Sequence, residues 1–466
     1  MALGRSGTST PPATRPATRA PLLLAVLLGL ASVTVLGAST LLTVAFTDYE
    51  TEALPSITAL GSGDLAGFLG LLPAYGGSLI LRAPAAWLTQ QAGGGELAVY
   101  RALAAPCLVA GAAFGVVLWS HLAGRRAGLA AWLALAVVVA NPLLLPALDT
   151  GHPEEYLGAV LCAGAVMAAL RDRPVLAGLL LGAAGANKAW AVLAVVPVLV
   201  ALRHGRVRCL VTAGALCGIV LAPALVHGTQ ALAGAKATAH GSGDIFQPWQ
   251  WTWFLGHHGE VVRGLLGEKP GFRTGPGWLG AVGHLPVVIL PLALSGLAVL
   301  RRVDRRDALL LLALCFLVRC VVDPWDTAYY HLPFLLALAA HEVIGRRRAP
   351  LAALLATVAV YGSTIMARDH LVPDMQAALY LAWSVPAMAA CVLALYAPAR
   401  WRAIVARALG RAHTALPSLS RLLVPAGAPR AQATTVSAFG SELSTSCPSS
   451  VTATRSSIRT PTAPGT

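Results

Sequence analysis

The sequence predicts an all-α, polytopic integral membrane protein with about 12 (10–12) transmembrane helices. The chain is 56% hydrophobic and only 12% charged, and its mean hydropathy is +0.69. A soluble protein of this length needs more charge to cover its surface. The apolar residues are also grouped into continuous runs, many of them about 17–25 residues long, the length that crosses a bilayer as a helix.

Twelve apolar runs carry this prediction. The runs 174–187 and 189–202 are short and share one stretch, so the predicted number of crossings extends from 10 to 12. The first run is too long for the core of a signal peptide and is interpreted as a retained anchor. The runs lie at 22–46, 97–120, 127–147, 154–170, 174–187, 189–202, 209–226, 279–300, 308–322, 328–344, 349–366 and 375–397.

Arginine clusters fall in alternate gaps between these runs, for example at 203–208, 301–306 and 346–348. By the positive-inside rule these gaps are cytoplasmic, which places both termini in the cytoplasm of a multi-pass cell-membrane protein. The net charge of +14 is therefore explained by orientation in the membrane, and no motif indicates nucleic-acid binding. Composition predicts disordered cytoplasmic ends at 1–20 and 412–466, around a membrane domain at 21–400.

Two external segments are long, at 47–96 and 227–278. The first contains "FTDYETEA" (46–53) and then "PAYGGSLILRAPAAWL" (73–88), which is typical of helices lying along the membrane interface. The second contains three tryptophans within five positions, Trp249, Trp251 and Trp253, which predict a membrane-interface belt.

The unusual polar residues are predicted at or near the external face. A transporter or flippase, the main alternative, is expected to place polar groups near the bilayer midplane, so the one-sided set favours a reaction at the membrane surface. A non-enzymatic membrane scaffold is the second alternative. The set comprises Asp48, Glu50, His152, Glu154, Glu155, Lys188, His240, Asp244, Asp323, Asp326, His331, Arg368, Asp369 and His370.

Asp48 and Glu50 are the candidate catalytic bases, because a carboxylate at the membrane boundary can take the proton of an attacking hydroxyl. The plain alternative is that they are solvated surface acids. In "GHPEEY" (151–156), Pro153 and the two glutamates suit the start of a helix, which leaves His152 unexplained. The spacing is not HExxH, and the chain has no CxxC pair, so no metal site is predicted.

Three basic residues are candidates for binding an anionic substrate. Lys188 is the only charge between Arg173 and Arg203, at the predicted external turn of two short helices. Arg319 suits a lipid phosphate, although pairing with Asp323 four residues later explains it equally well. Arg368 forms a further basic spot, and His331 follows Arg319 in the chain.

These features, in this order, resemble the GT-C superfamily of polyprenyl-phosphate-sugar-dependent glycosyltransferases, and most of all glycosyltransferase family 87, the mannosyltransferase-type group. The resemblance rests on the anchor followed by "FTDYETEA", on "PAYGGSLILRAPAAWL", and on "GHPEEYLGAVLCAGAVMAALRDRPVLAGLLLGAAGANKAWAVLAVVPVLV". The sequence departs from the family pattern at "GHPEE", where members often have Gly-Gln.

The resemblance implies a GT-C-like fold and an inverting transfer of a mannose- or arabinose-type sugar. The donor would be a polyprenyl-phosphate-linked sugar, and the acceptor a glycan or glycolipid in contact with the bilayer. The implied base falls on Asp48, with Glu50 as the second candidate. Lys188 matches the family's lysine, and His152, Glu155, Lys188, Arg319, His331 and Arg368 are the predicted substrate-binding residues. This interpretation requires no cofactor and leaves room for a divalent cation.

Overall fold

A computed structural model describes residues 48–123, 128–227, 233, 244–257, 263–264, 267–268 and 273–415. The first apolar run, 22–46, and the predicted disordered end at 1–20 lie outside these residues. So does the predicted tail, except for 412–415, which end the last helix. The chain divides into two compact units, Met1–Val405 and Ala406–Thr466, and the candidate site belongs to the first.

The described residues are almost entirely helical, as the sequence predicts. In chain order the α-helices are α1 Leu54–Gly61, α2 Leu65–Gly70, α3 Gly76–Gln91, α4 Glu96–Leu122, α5 Leu129–Val139, α6 Leu144–Asp149, α7 Pro153–Leu170, α8 Pro174–Asn187, α9 Val195–Ala201, α10 Arg206–His227, α11 Trp278–Val282, α12 Leu285–Leu300, α13 Ala308–Val322, α14 Leu332–Ala340, α15 Leu351–Thr364, α16 Pro373–Tyr396 and α17 Pro398–Ala415.

Shorter helical turns join or extend these helices. The 3-10 turns are Ala189–Ala194, Trp253–Leu255, Arg305–Asp307, Ala328–His331 and Met366–Asp369, and the π-helical turns are Tyr49–Ala53 and His341–Gly345. In the described part, β-structure is limited to two antiparallel pairs of two-residue strands, Asp244–Ile245 with Arg273–Thr274, and Arg263–Gly264 with Gly267–Glu268.

Within the described residues, six helical stretches are long and apolar enough to cross a membrane. Three shorter apolar helices, Pro174–Asn187, Ala189–Ala201 and Leu285–Leu300, accompany them, and the total of about 12 crossings stays a prediction. The six are Glu96–Leu122, Leu129–Asp149, Pro153–Leu170, Arg206–His227, Leu351–Asp369 and Pro373–Tyr396.

Two predicted runs are divided for local reasons. The run 127–147 breaks between α5 and α6, where Pro142 cannot donate a helical hydrogen bond and the Asn141 side chain donates to the Val137 carbonyl instead. The stretch 174–202 breaks at Lys188, whose backbone is extended (φ −150°, ψ 135°) between α8 and the Ala189–Ala194 turn. This second break brings Lys188 to a helix end.

Helix α7 is the central helix of the first unit. It packs against α4, α8, α13 and α14, and 78% of its apolar stretch is buried inside the protein, against 17% for α10. The apolar side chains that α10 exposes, such as Val207, Val211 and Ile219, are suited to face lipid. The first residues of α7 are therefore enclosed by protein on all sides.

Helices α8 and α10 approach each other closely through small residues. A Cβ atom added to Gly178 would lie 2.5 Å from the Cys209 carbonyl oxygen, and one added to Gly182 would lie 2.5 Å from that of Ala213. This is the small-xxx-small pattern that lets membrane helices pack backbone to backbone. It holds the α8 end, and hence Lys188, against its neighbours.

Replacing Gly182 by leucine is expected to lower the thermal midpoint of the detergent-purified protein. The added side chain has to push α8 away from α10, and overpacking of this kind costs about 1–3 kcal/mol or more. Gly218→Leu on α10 is the matched control, because a Cβ atom there meets nothing within 4 Å. Equal midpoints for the two variants would contradict the packing argument.

The second external segment differs from its prediction. Trp249 and Trp253 are buried inside the protein and do not form a membrane-interface belt. The Trp249 indole donates to the Asp326 carbonyl oxygen (3.1 Å), and that of Trp253 donates to the Asp374 carboxylate (2.8 Å). An indole is as well suited to a buried site with a hydrogen-bond acceptor as to an interface, and sequence alone does not separate the two.

Candidate active site

The two carboxylates at the start of α7 are the centre of the candidate site. Glu154 is 0% exposed and Glu155 is 1% exposed. A buried carboxylate is very costly unless cations and hydrogen bonds neutralise it. From the sequence, both glutamates are explained by capping of the α7 N-terminus. Capping does not explain why both side chains are buried.

Glu154 is surrounded by three cationic side chains. Arg82 Nη2 lies 3.1 Å from its Oε2 atom, while Lys188 Nζ and His152 Nδ1 lie 3.1 Å and 2.7 Å from its Oε1 atom. Burial lowers the pKa of Lys188, but the charges of Glu154 and Glu155 outweigh this effect and raise it overall. Lys188 is therefore a buried ammonium ion and not a neutral amine.

Glu155 connects the same cluster to α13. Its Oε1 atom accepts from the Trp190 indole (3.2 Å) and lies 3.4 Å from Lys188 Nζ. Its Oε2 atom lies 3.7 Å from Arg319 Nη1, and within the described residues neither of these two atoms has a hydrogen-bond partner. The Arg319 guanidinium stacks over the Trp190 and Tyr330 rings, at 4.8 and 4.5 Å. One buried guanidinium donor therefore remains available to another acceptor.

Asn187, the residue before Lys188, is held in place by hydrogen bonds to Glu154 and Ser78. Asn187 Nδ2 donates to the Glu154 backbone carbonyl (2.8 Å), and Ser78 Oγ donates to Asn187 Oδ1 (2.7 Å). Both side chains, Ser78 and Asn187, are buried, and so is Glu154. This chain of hydrogen bonds ties α3, α7 and α8 together at the carboxylates.

Asp48 reaches the cluster through His152. Asp48 Oδ2 lies 3.0 Å from His152 Nε2, and the Asp48 side chain is 40% exposed while that of His152 is 10% exposed. Gly151 makes this approach possible, since its φ is +97° and an added Cβ atom would lie 2.7 Å from the Tyr49 backbone nitrogen. Asp48 is thus the carboxylate at which the buried network meets the exterior.

The pKa of His152 is raised to about 9. Burial and the Lys188 charge lower it, and they are outweighed by the Glu154 charge and by hydrogen bonds to Asp48 and Glu154. His152 is therefore an imidazolium at neutral pH, and both ring nitrogens donate to carboxylates. The directly paired groups are four cations, His152, Arg82, Lys188 and Arg319, and three carboxylates, Asp48, Glu154 and Glu155, so they sum to a formal charge of +1. Glu52 and Asp323 act on Lys188 and Arg319 from farther away.

We expect the stability of the protein to fall as pH rises through about 9. The folded-state pKa of His152 is raised from 6.5 to about 9, so its stabilising contribution is complete below pH 6.5 and is lost above 9. A shift of this size corresponds to about 3 kcal/mol. The measurement is the thermal midpoint of purified protein between pH 6 and pH 10. His152→Gln is the control, and a pH profile like that of wild type in this variant would contradict the assignment.

Three predicted site residues lie away from this cluster. Glu50 is exposed on the turn that follows Asp48, and Arg368 is exposed on the Met366–Asp369 turn. His331 is fully buried in a second set of polar residues, with its Nε2 atom 2.8 Å from the Tyr380 hydroxyl. The roles predicted for these three residues stay predictions, and the described contacts give no support for placing them with Lys188.

The second set contains atoms that can hold a metal ion. One ligand atom from each of Cys320, Asp326 and His331 lies within 4.8 Å of the others. The Tyr380 hydroxyl donates to Asp326 Oδ2 (3.2 Å), and burial raises the pKa of Asp326 well above its usual range. In this structure burial therefore favours the neutral form of the Asp326 carboxyl.

The sequence analysis assigns no role in the site to Arg82, and it places Glu154 at the external face without assigning it to substrate or catalysis. Arg82 is the only charged residue between Asp64 and Glu96, which is the same signal that singled out Lys188. The stretch 73–88 that contains it is predicted to lie along the membrane interface, but Arg82 is buried and donates to the Ser78 and Leu103 carbonyls as well as to Glu154. A lone charge in an apolar stretch was informative in both cases.

Among the described residues, six helical stretches are long and apolar enough to cross a membrane, and a buried network of ion pairs lies at the ends of some of them. These features define an integral membrane protein with a polar site. The model of glycosyltransferase family 87 matches residues 74–324, more than half of the chain, and the chain belongs to that family. No curated protein and no solved structure matches it. Arg82, His152, Glu154, Glu155, Lys188 and Arg319 lie inside the matched range, whereas Asp48, Glu50, His331 and Arg368 lie outside it.

Proposed function

We propose that this membrane glycosyltransferase transfers a mannose- or arabinose-type sugar from a polyprenyl-phosphate donor to a glycan or glycolipid acceptor. The reaction takes place at the external face of the cell membrane, with both termini in the cytoplasm. One observation carries the proposal. A partly exposed carboxylate, Asp48, is hydrogen-bonded to a buried cluster in which cations exceed carboxylates by one.

The excess positive charge suits a phosphate leaving group. When the bond between the sugar and the donor phosphate breaks, negative charge develops on the phosphate oxygens, and fixed cations stabilise it without a proton transfer. Arg319 is the principal candidate, because its Nη1 atom has no hydrogen-bond partner among the described residues and a guanidinium matches phosphate geometry. Lys188 is the second, as its ammonium group lies between Glu154 and Glu155.

Asp48 is the proposed base. The acceptor hydroxyl attacks the anomeric carbon, its proton passes to the Asp48 carboxylate, and polyprenyl phosphate leaves, which inverts the configuration. Asp48 is the most exposed carboxylate of the cluster, so an acceptor can reach it, and His152 orients it through the 3.0 Å hydrogen bond. Glu50 is exposed nearby and is the second candidate.

The position of the polar groups along the helices favours a transferase over a transporter or flippase. Glu154 and Glu155 occupy the first turn of α7, and Lys188 lies directly after the end of α8. A transporter is expected to build its site near the bilayer midplane, commonly at broken helices, so the break at Lys188 alone does not distinguish the two functions. Residues at the ends of helices suit a substrate whose reacting group lies at the membrane surface.

The test is sugar transfer by the purified, reconstituted protein. Radiolabelled polyprenyl-phosphate-mannose and polyprenyl-phosphate-arabinose are supplied in separate reactions, with the corresponding nucleotide sugars as the comparison. We expect a lipid-linked donor to be consumed and nucleotide sugars to be left unchanged, and Arg319→Gln to lower the rate with the lipid-linked donor. Transfer from nucleotide sugars alone would overturn the proposed donor.

A further inference from the structure

A second polar region lies at the opposite end of α7. There a cavity of about 550 Å³ is lined by five arginines, Arg203, Arg305, Arg306, Arg346 and Arg347, together with Leu170 and Ile344. Leu170, at the cavity, lies 16 residues after Glu154 on α7, which corresponds to ~24 Å along the helix. By the positive-inside rule this end of the bundle is cytoplasmic.

The arginines come from three separate connections, and only some are neutralised. Arg305 pairs with Asp172 (3.1 Å) and Arg346 with Asp307 (2.8 Å), while Arg203 lies 3.8 Å from Asp172. Arg306 and Arg347 have no ion-pair partner among the residues that the structure describes. The cavity therefore keeps an excess of guanidinium groups, which repel one another when it is empty.

The backbone at Arg347 is left-handed. Its φ is +52°, in the left-handed region where glycine is the default residue. Arg347 thus occupies a position that costs an L-residue conformational energy, and its guanidinium lines the cavity. A left-handed residue is a common way to end a helix, and here the Arg348 N–H donates to the Glu342 carbonyl in that pattern. Arg302 ends α12 with the same backbone, so the conformation directs the chain and gives a matched control.

Membrane orientation explains the sign of the charge but does not explain its arrangement. The positive-inside rule requires only that arginines are present in these connections, at any place on their surface. Here arginines from three connections line one cavity of a size that admits a small ligand. Guanidinium groups bind phosphate with paired hydrogen bonds and are the typical residues of phosphate sites.

We propose that this arginine-lined cavity binds an anion bearing a phosphate group, at a site separate from the transferase site. Two sources share this chemistry, the headgroup of an anionic lipid in the cytoplasmic leaflet and a free phosphate or pyrophosphate. The proposal does not depend on the donor or acceptor of the transferase reaction.

The test compares Arg347→Gly with Arg302→Gly in the full-length protein. Both arginines are exposed and have a left-handed backbone (φ +52° and +51°), so glycine removes the same charge and relieves strain in each case. Arg347 lines the cavity, and Arg302 is not among the lining residues. Protein in phosphatidylcholine vesicles is titrated with inorganic pyrophosphate, and in a second arm phosphatidylglycerol is added to the vesicles while the thermal midpoint is measured.

We expect Arg347→Gly to weaken anion binding about 10-fold, as for the loss of one charge-assisted contact, and Arg302→Gly to bind like wild type. Saturable binding of pyrophosphate identifies a free anion, and stabilisation by phosphatidylglycerol alone identifies a lipid headgroup. Binding of pyrophosphate or stabilisation by phosphatidylglycerol supports the site if it is weaker in Arg347→Gly than in Arg302→Gly. Absence of both effects in wild type, or equal weakening in the two variants, would overturn it.

Discussion

Replacing Glu154 by glutamine is expected to be the most damaging single change in the described part of the protein. The substitution removes the carboxylate that Arg82, Lys188 and His152 share, and leaves buried positive charges without compensation. Breaking a buried ion pair from one side costs about 3–5 kcal/mol. We expect low yields of folded protein, a large drop in thermal midpoint, and no measurable sugar transfer.

The adjacent glutamate is the matched control. Glu155 is equally buried, but its cations lie farther away, at 3.4 and 3.7 Å, so Glu155→Gln is expected to lower the thermal midpoint less. Combining Arg82→Gln with Glu154→Gln removes one charge of each sign and is expected to cost less than the sum of the single changes. Additive effects of the two changes would show that the 3.1 Å contact carries no coupling.

The fold could be predicted to the level of its helices because continuous apolar runs determine them directly. Each described run corresponds to a helix or to neighbouring helices, and the divisions fall at recognisable places such as Asn141–Pro142. The apolar runs carry no information on how the helices pack around one another. The central position of α7, which buries Glu154 and Glu155, follows from tertiary packing and has no signature in a single sequence.

The candidate site was predictable in part for the same reason. Lys188 is predicted because a lone charge in an apolar stretch is costly, and His152, Glu155 and Arg319 because they lie near the same predicted external face. The structure brings these four residues together. Arg82 has the same signal, but its partner Glu154 lies 72 positions away, and such a pair cannot be recognised without the fold. His331 was grouped with Arg319 by closeness in sequence, yet its partner is Tyr380.

The second large effect is expected at Asp48, and it differs in kind from that of Glu154. If Asp48 takes the acceptor proton, Asp48→Asn removes the base, and loss of general base catalysis lowers kcat by about 10²–10⁴-fold. Stability is expected to change less than in Glu154→Gln, since the Asp48 side chain is 40% exposed and His152 keeps its contact with Glu154. The measurements are kcat with a lipid-linked donor and the thermal midpoint of the same preparation.

Glu50→Gln is the matched control for Asp48→Asn, because it removes a carboxylate two residues away that is exposed. Asp48 contacts His152, and through it the buried cluster, so only the change at Asp48 is expected to abolish transfer. Loss of transfer in Glu50→Gln with retention in Asp48→Asn would move the base to Glu50. Retention of sugar transfer in both variants would exclude both acids as the catalytic base and would contradict the proposed mechanism.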